Sequence, residues 1–311
     1  MPSLKVIRTR IVSVKSTQKI TKAMKMVAGA RLARAQQAIT ALRPYAVKSG
    51  EILRSVASGI AGDGGDDAQD EGALLSPFLA RRAEQNVLIV LFSADRGLCG
   101  GFNANVSKAA ERHWRELLAE GKTVSFVTIG RKGKEFVARR GATMLQDFPK
   151  PYEGLDLGKA RAIAAVLAAK YKAKEFDAIT LVFNEFKSAM TQKATIVPLL
   201  PLSMPSNGNG KENGNGANAA APAERTEFLF EPDKKALVQQ LIPMYLEITI
   251  FRAMLESQAG FFGAQMTAMD SATRNAKDMI KRLSLAYNRA RQAAITKELM
   301  EIIGGAEALK E

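Results

Sequence analysis

The chain has 311 residues, 47% of them apolar, and a formal net charge of +14. That is enough chain for one large domain or two modest ones with a real core, and enough positive charge to seek nucleic acid, anionic lipid or an acidic protein surface. A single cysteine, Cys99, and a single histidine, His113, exclude an internal disulfide and a Cys/His zinc cluster and argue against a Ser-His-Asp apparatus. No apolar run reaches the ~20 residues of a membrane span.

The pattern starts almost at Met1, so no signal peptide is expected. From about Ser3 to Ala57, residues Ile7, Ile11, Val14, Gln18, Thr21, Met24, Ala28, Leu32, Ala35, Ile39 and Leu42 fall three or four apart, the spacing of a coiled-coil seam. Pro44 is the only proline inside and could bend the helix. At 1.5 Å per residue the helix would be roughly 80 Å long, so much of it must project. "GDGGDDAQDEG" (62–72) breaks it and reads as a solvated loop without calcium-loop spacing. "NVLIVLF" (86–92), "VSFVTIG" (124–130), "AITLVFN" (178–184) and "KATIVPLL" (193–200) read as strands, with helices at about 103–120, 131–140 and 157–175. That alternation predicts a small α/β domain with a largely parallel sheet. "SNGNGKENGNGANAAAPA" (206–223) reads as a disordered insertion.

From about Asp233 to the end the helical pattern returns. Phe262, Met266, Met269, Thr273, Ala276, Ile280, Leu283, Tyr287, Ala290 and Ala294 form a second seam. Two seams at the two chain ends imply an antiparallel, left-handed coiled coil whose longer C-terminal helix protrudes alone. The expected division is an N-terminal helix over 1–60, a linker over 61–85, an α/β domain over 86–232 and a C-terminal helix over 233–311.

Three stretches carry the functional signal. Residues 1–48 hold eleven Lys or Arg and no acid. A solvated face, a phosphate-tracking rod and a surface for an acidic protein all fit that charge, although the near-absence of aromatics leaves base stacking unsupported. "SADRGLCGGFN" (93–103) follows the first strand, where phosphate-cradling loops sit. Its glycines, Gly97, Gly100 and Gly101, match neither a dinucleotide pattern nor a P-loop. The structural reading is a tight, glycine-dependent turn that presents Asp95 and Arg96 at the sheet edge, with Cys99 a small buried residue. The tip "ELMEIIGGAEAL" is apolar, and Gly304 and Gly305 offer no side chain to catch on a surrounding sleeve.

"STQKITKAMKMVAGARLARAQ" (16–36), "DRGLCGGFN" (95–103), "FEPD" (230–233) and "YNRARQAAITKELMEIIGGAEAL" (287–309) resemble the gamma subunit of F-type ATP synthases, in that family's order and over the whole chain. Few residues precede the first motif, so a bacterial form is expected. The resemblance implies a coiled-coil shaft on a Rossmann-like α/β foot, with no cofactor and no catalytic residue. The shaft would turn inside a hexamer of alpha and beta subunits, and the foot would ride with the epsilon subunit on the membrane ring of c subunits. The implied site is the cytoplasmic face of a bacterial plasma membrane, reached only through partners. Beta-subunit contacts carried over are Met24, Lys25, Arg291, Gln292, Thr296 and Glu298. Foot contacts to the c ring or epsilon are Phe228, Phe230 and Glu231, where many members have tyrosine in place of the two phenylalanines. Gln265 stands where the family usually carries Arg, which puts one charge contact near Met24 in question. A nucleic-acid-binding coiled coil and a nucleotide-binding α/β enzyme using 93–103 are the rival readings.

Overall fold

The computed structural model describes residues 3–61, 76–79, 82–202 and 234–308. The acidic loop 62–72, the insertion 206–223 and the foot contacts Phe228, Phe230 and Glu231 lie outside the described residues.

Helix α1 runs from Leu4 to Ala61 and the last helix, α5, from Lys234 to Ala308. Both are rich in Ala, Lys, Arg, Gln and Met, the strong helix formers, and each contains one proline, Pro44 and Pro243. They pack antiparallel. The hydroxyls of Thr21 and Thr273 lie 2.8 Å apart, Lys25 pairs with Asp270 at 2.5 Å, and the Arg31 guanidinium sits 5.7 Å over the Phe262 ring. Every residue of both predicted seams is buried or half-buried, while most of the residues between them on α1, and on α5 from Arg274 onward, are exposed. Extending this register places Leu4, where α1 starts, level with Ala290. Among the described residues, the turns of α5 beyond that point have no partner helix.

Between the two long helices lie β1 (Asn86–Phe92), α2 (Phe102–Ala119), β2 (Thr123–Ile129), α3 (Arg131–Arg139), β3 (Met144–Phe148), α4 (Leu157–Lys172), β4 (Ala178–Phe186) and β5 (Gln192–Leu200). The sheet order is β3-β2-β1-β4-β5, with β5 antiparallel and the other pairs parallel. This is the expected Rossmann-like arrangement. The sequence pattern missed β3: "MLQDF" is an edge strand, mostly half-buried, so it needs no apolar run to pair on one side.

Central β1 is apolar from Val87 to Phe92 because both its faces are covered. Leu88, Val90 and Phe92 pack against α4 and the lower part of α5, whereas Val87, Ile89 and Leu91 pack against α2 with Val137 of α3. Asp156 caps α4 by accepting from Lys159 N at 2.9 Å, and Lys170 and Lys172 sit in its last turn, each end matched to the helix dipole.

Candidate functional site

The topological switch point of this sheet lies between β1 and β4, where open α/β sheets bind nucleotides. Here that crevice is filled by α5. Ala259, Phe261, Phe262 and Ala264 pack there with Ala94, Cys99 and Phe102 from the loop after β1, and with Leu32 and Ala35 of α1. Two glycines permit the approach. A Cβ on Gly260 would stand 3.1 Å from the Phe102 ring, and one on Gly263 would stand 3.2 Å from the Ala189 backbone. Polar contacts fix the seat: Thr267 donates to Ala189 O at 3.2 Å, Asn184 Nδ2 to Phe102 O at 3.2 Å, and the Tyr152 and Ser257 hydroxyls lie 2.8 Å apart. Burial holds the Tyr152 phenol above its ordinary value despite the bond to Ser257, so it stays neutral.

The 93–103 loop is therefore a collar for a helix. Asn103 closes it: Oδ1 accepts from Ala94 N at 2.9 Å, and Nδ2 donates to Arg96 O at 3.2 Å and reaches Cys99 Sγ at 3.3 Å. Asp95 Oδ1 accepts from Arg131 N at 2.9 Å, tying the loop to the start of α3, while Arg96 is exposed. The expected dependence on three glycines is corrected. Only Gly100 has positive φ, at 56°, and Leu98 holds the other left-handed position at 62°. Gly97 has open space around it, and Gly101 sits ahead of α2 with φ of −82°. Cys99 is buried, and burial raises its thiol pKa, so it is a poor nucleophile.

Sequence reasoning passed over the residues that seat this collar. Ser93 Oγ accepts from Gly133 N at 2.7 Å. Gly130, at φ 102°, comes so near that a Cβ would stand 2.2 Å from Ser93 O. Asn103 and Gly260/Gly263 carried the available signals, an amide closing a glycine-rich loop and two small residues three apart on one helix face.

The carried-over contact residues fall into two groups. Met24 is half-buried in the seam, and the Lys25 ammonium is held by Asp270, whose second oxygen takes Arg274 at 3.3 Å. The hydrogen bond from Lys25 draws the Asp270 carboxyl below its ordinary 3.8. Gln265 is half-buried near this pair on the same helix. Arg291, Gln292, Thr296 and Glu298 are all exposed, on the stretch of α5 that α1 does not reach. Around them Leu299, Met300, Ile302 and Ile303 are 54–68% exposed. The two groups are thus separated along the rod.

A family model described as ATP synthase matches residues 3–309. An ATP synthase gamma chain from Sorangium cellulosum (strain So ce56) is 52% identical over 327 aligned positions, with both chains covered in full. The chain belongs to the ATP synthase gamma family. A second gamma chain, from Geobacter sp. (strain M21), is 46% identical with both chains covered in full. The gamma fold is shared with solved rotor structures. A chain of the Euglena gracilis mitochondrial ATP synthase OSCP/F1/c-ring structure superposes with a TM-score of 0.63 at 19% identity, covering 98% of this chain and 94% of that one. A chain of the Tetrahymena thermophila mitochondrial central stalk/c-ring structure gives 0.57 at 20% identity, covering 81% of this chain and 99% of that one. Among the described residues of this gamma-family chain, no helix is long and apolar enough to cross a membrane.

Proposed function

We propose that this chain is the central rotor shaft of a proton-translocating F-type ATP synthase and carries no catalytic site of its own. The observation that carries the reading is the upper end of α5: a helix beyond the reach of α1 whose large apolar residues, Leu299, Met300, Ile302 and Ile303, are exposed. Such a surface calls for an enclosing partner. A hexamer of alpha and beta subunits supplies a sleeve around it, with Arg291, Gln292, Thr296 and Glu298 meeting beta-subunit loops in turn, and Met24 and Lys25 meeting them lower down.

Rotation changes which face of the rod each beta subunit meets. Each conformer of beta is favoured by a different face, so turning the rod shifts populations without any bond being made or broken on the rod itself. The foot rides with epsilon on the c ring, with Phe228, Phe230 and Glu231 in that contact. The chain is held at the cytoplasmic face of a bacterial plasma membrane through these partners. The filled crevice between β1 and β4 speaks against the nucleotide-enzyme reading.

Co-expression with bacterial alpha and beta subunits tests this. The expected result is incorporation of this chain into the hexamer with ATP-driven rotation, and no steady-state ATP turnover by the chain alone. Turnover by the purified chain, or its exclusion from the hexamer, overturns the reading.

A further inference from the structure

Within the collar α5 is held from three directions. The loop between β3 and α4 meets one face: the Tyr152 ring stacks on Phe261 at 5.6 Å, its hydroxyl lies 2.8 Å from Ser257 Oγ, and its carbonyl accepts from Gln258 Nε2 at 3.2 Å. The β4–β5 hairpin meets a second face. The Ala189 backbone fills the notch that Gly263 leaves, Gln192 lies against Gly260, and the Thr267 hydroxyl is shared between Ala189 O at 3.2 Å and Gly263 O of its own helix at 3.1 Å. Helix α1 meets the third, with Arg31 over the Phe262 ring, Gly29 beside Met266 and Lys25 on Asp270. A helix turns about 100° per residue, which puts these three sets of α5 residues about 120° apart around its axis. Neither hold from the foot is slack. Gln192 Nε2 donates to Ser188 O at 3.2 Å and Ala189 O at 3.0 Å, closing the hairpin tip, and Lys159 Nζ donates to Lys150 O at 3.3 Å and to Glu153 O, closing the Tyr152 loop.

Burial alone does not fix a helix in azimuth, because apolar contact is non-directional. Hydrogen bonds, a stacked ring and a backbone seated in a glycine notch are directional. Held from three sides, α5 cannot turn about its own axis inside the foot without breaking them together. Among the described residues, Thr267 is the highest position on α5 that hydrogen-bonds the foot. We propose that Tyr152 and Thr267 are positioning residues for torque transfer: they lock α5 to the foot, so that the twisting length of the shaft begins at the collar and not at the base of the helix. The proposal rests on the rotor reading, in which torque passes between the foot and the upper contacts at Arg291 and Gln292. From Thr267 to Arg291 the helix measures about 36 Å, and from Met254, buried in the sheet core below the collar, about 55 Å. The torsional stiffness of a uniform rod is inversely proportional to its length, so an anchor moved down from Thr267 to Met254 leaves the shaft about 1.5-fold softer.

The test is the thermal twist of the rotor in single complexes of this chain with alpha and beta subunits. The alpha and beta subunits are fixed to a surface, the rotor is stalled by nucleotide, and a bead on the foot reports its angle. Angular variance is inversely proportional to torsional stiffness, so Tyr152→Leu with Thr267→Val should widen it about 1.5-fold over wild type. Thr267→Ser alone, which keeps the hydroxyl, should match wild type. Val106→Ala, a cavity in the core on the other face of the sheet, loosens the fold without touching the collar and should leave the variance unchanged. If Tyr152→Leu does not assemble, Tyr152→Phe with Thr267→Val serves, with a smaller increase in the same direction. A variance equal to wild type in the collar variants overturns the proposal. So does an increase that Val106→Ala matches, since that is general loosening. Failure of the wild-type chain to join alpha and beta subunits sinks the rotor reading instead, and is seen before any angle is recorded.

Discussion

Helix α5 is one continuous element that lives in two environments. Between Ala253 and Ala264 nearly every residue is buried, whichever way it points, because the collar, the sheet and α1 surround it. Between Arg291 and Ile303 almost nothing is buried. Propensity is similar in the two stretches, so the difference is one of partners. Below, small residues are demanded by close approach. Above, large apolar residues stand in the open. The lower stretch is built to stay with its own chain, and the upper one is built to meet another.

Substitutions at matched positions break this contrast, and the largest effect belongs in the collar. Phe102→Ala removes a buried ring stacked edge-on to Phe261 at 5.9 Å, and should cost about 3–5 kcal/mol. Leu299→Ala with Ile302→Ala should leave the melting of the isolated chain within about 0.5 kcal/mol, as exposed positions do, yet reduce turnover of the assembled enzyme. Chemical denaturation of both, beside ATPase rates of the complex, checks the pair; equal destabilisation would erase the distinction.

Glycine swaps sharpen it. Gly263→Val forces a branched side chain against the Ala189 backbone and the Phe186 ring and should destabilise by about 3 kcal/mol. Gly305 has open space, so Gly305→Ala should be neutral or add up to about 1 kcal/mol of local helix stability. Thermal unfolding of the two variants reads the difference, and a stable Gly263→Val chain would mean that α5 sits looser in the collar than its contacts imply.

A third variant isolates the upper contacts. Arg291→Ala with Gln292→Ala should lower ATP hydrolysis and ATP-driven proton pumping by about tenfold while assembly persists, on the scale of one charge-assisted bond of ~1.5 kcal/mol. Arg291→Lys should be milder but not neutral, since an ammonium lacks the fork of a guanidinium. Unchanged rates on complexes of verified composition would leave steric shape alone to move the beta subunits.

The smallest effect concerns the ion pair between the two stretches. Lys25 holds Asp270 below its ordinary 3.8. A depressed carboxyl stabilises the fold above its unfolded value and loses that contribution as pH falls through the folded one. Wild type should therefore melt slightly above Asp270→Asn at pH 7, with the gap steady down to about pH 5 and closing below the ordinary carboxylate value. A gap that widens on acidification would contradict the pairing.

The seams and the central strands were legible in the sequence because burial imposes a period, and a period survives in one dimension. The collar was not. Phe102 meets Phe261, and Lys25 meets Asp270, across separations no local pattern records. The loop was recognisable as a special turn, but whether it cradles a phosphate or a helix depends on a segment more than half the chain away. Leu98 in a left-handed conformation and Gly97 in an ordinary site show how poorly glycine spacing alone predicts strain. Arg291, Gln292, Thr296 and Glu298 were reachable only through family resemblance, since among the described residues no other element packs against them.

The start of α1 at Leu4 leaves a step in the thickness of the rod. Below the step two helices turn together, and their outer surface stands about 10 Å from the common axis; above it a single helix has a radius of about 5 Å. Torque is force multiplied by lever arm. An identical push delivered above the step therefore meets a rod about half as wide as the one below it, and the lever arm there is set by how far α5 alone stands from the axis. Lengthening α1 by two turns would change that gearing without touching one contact residue on α5.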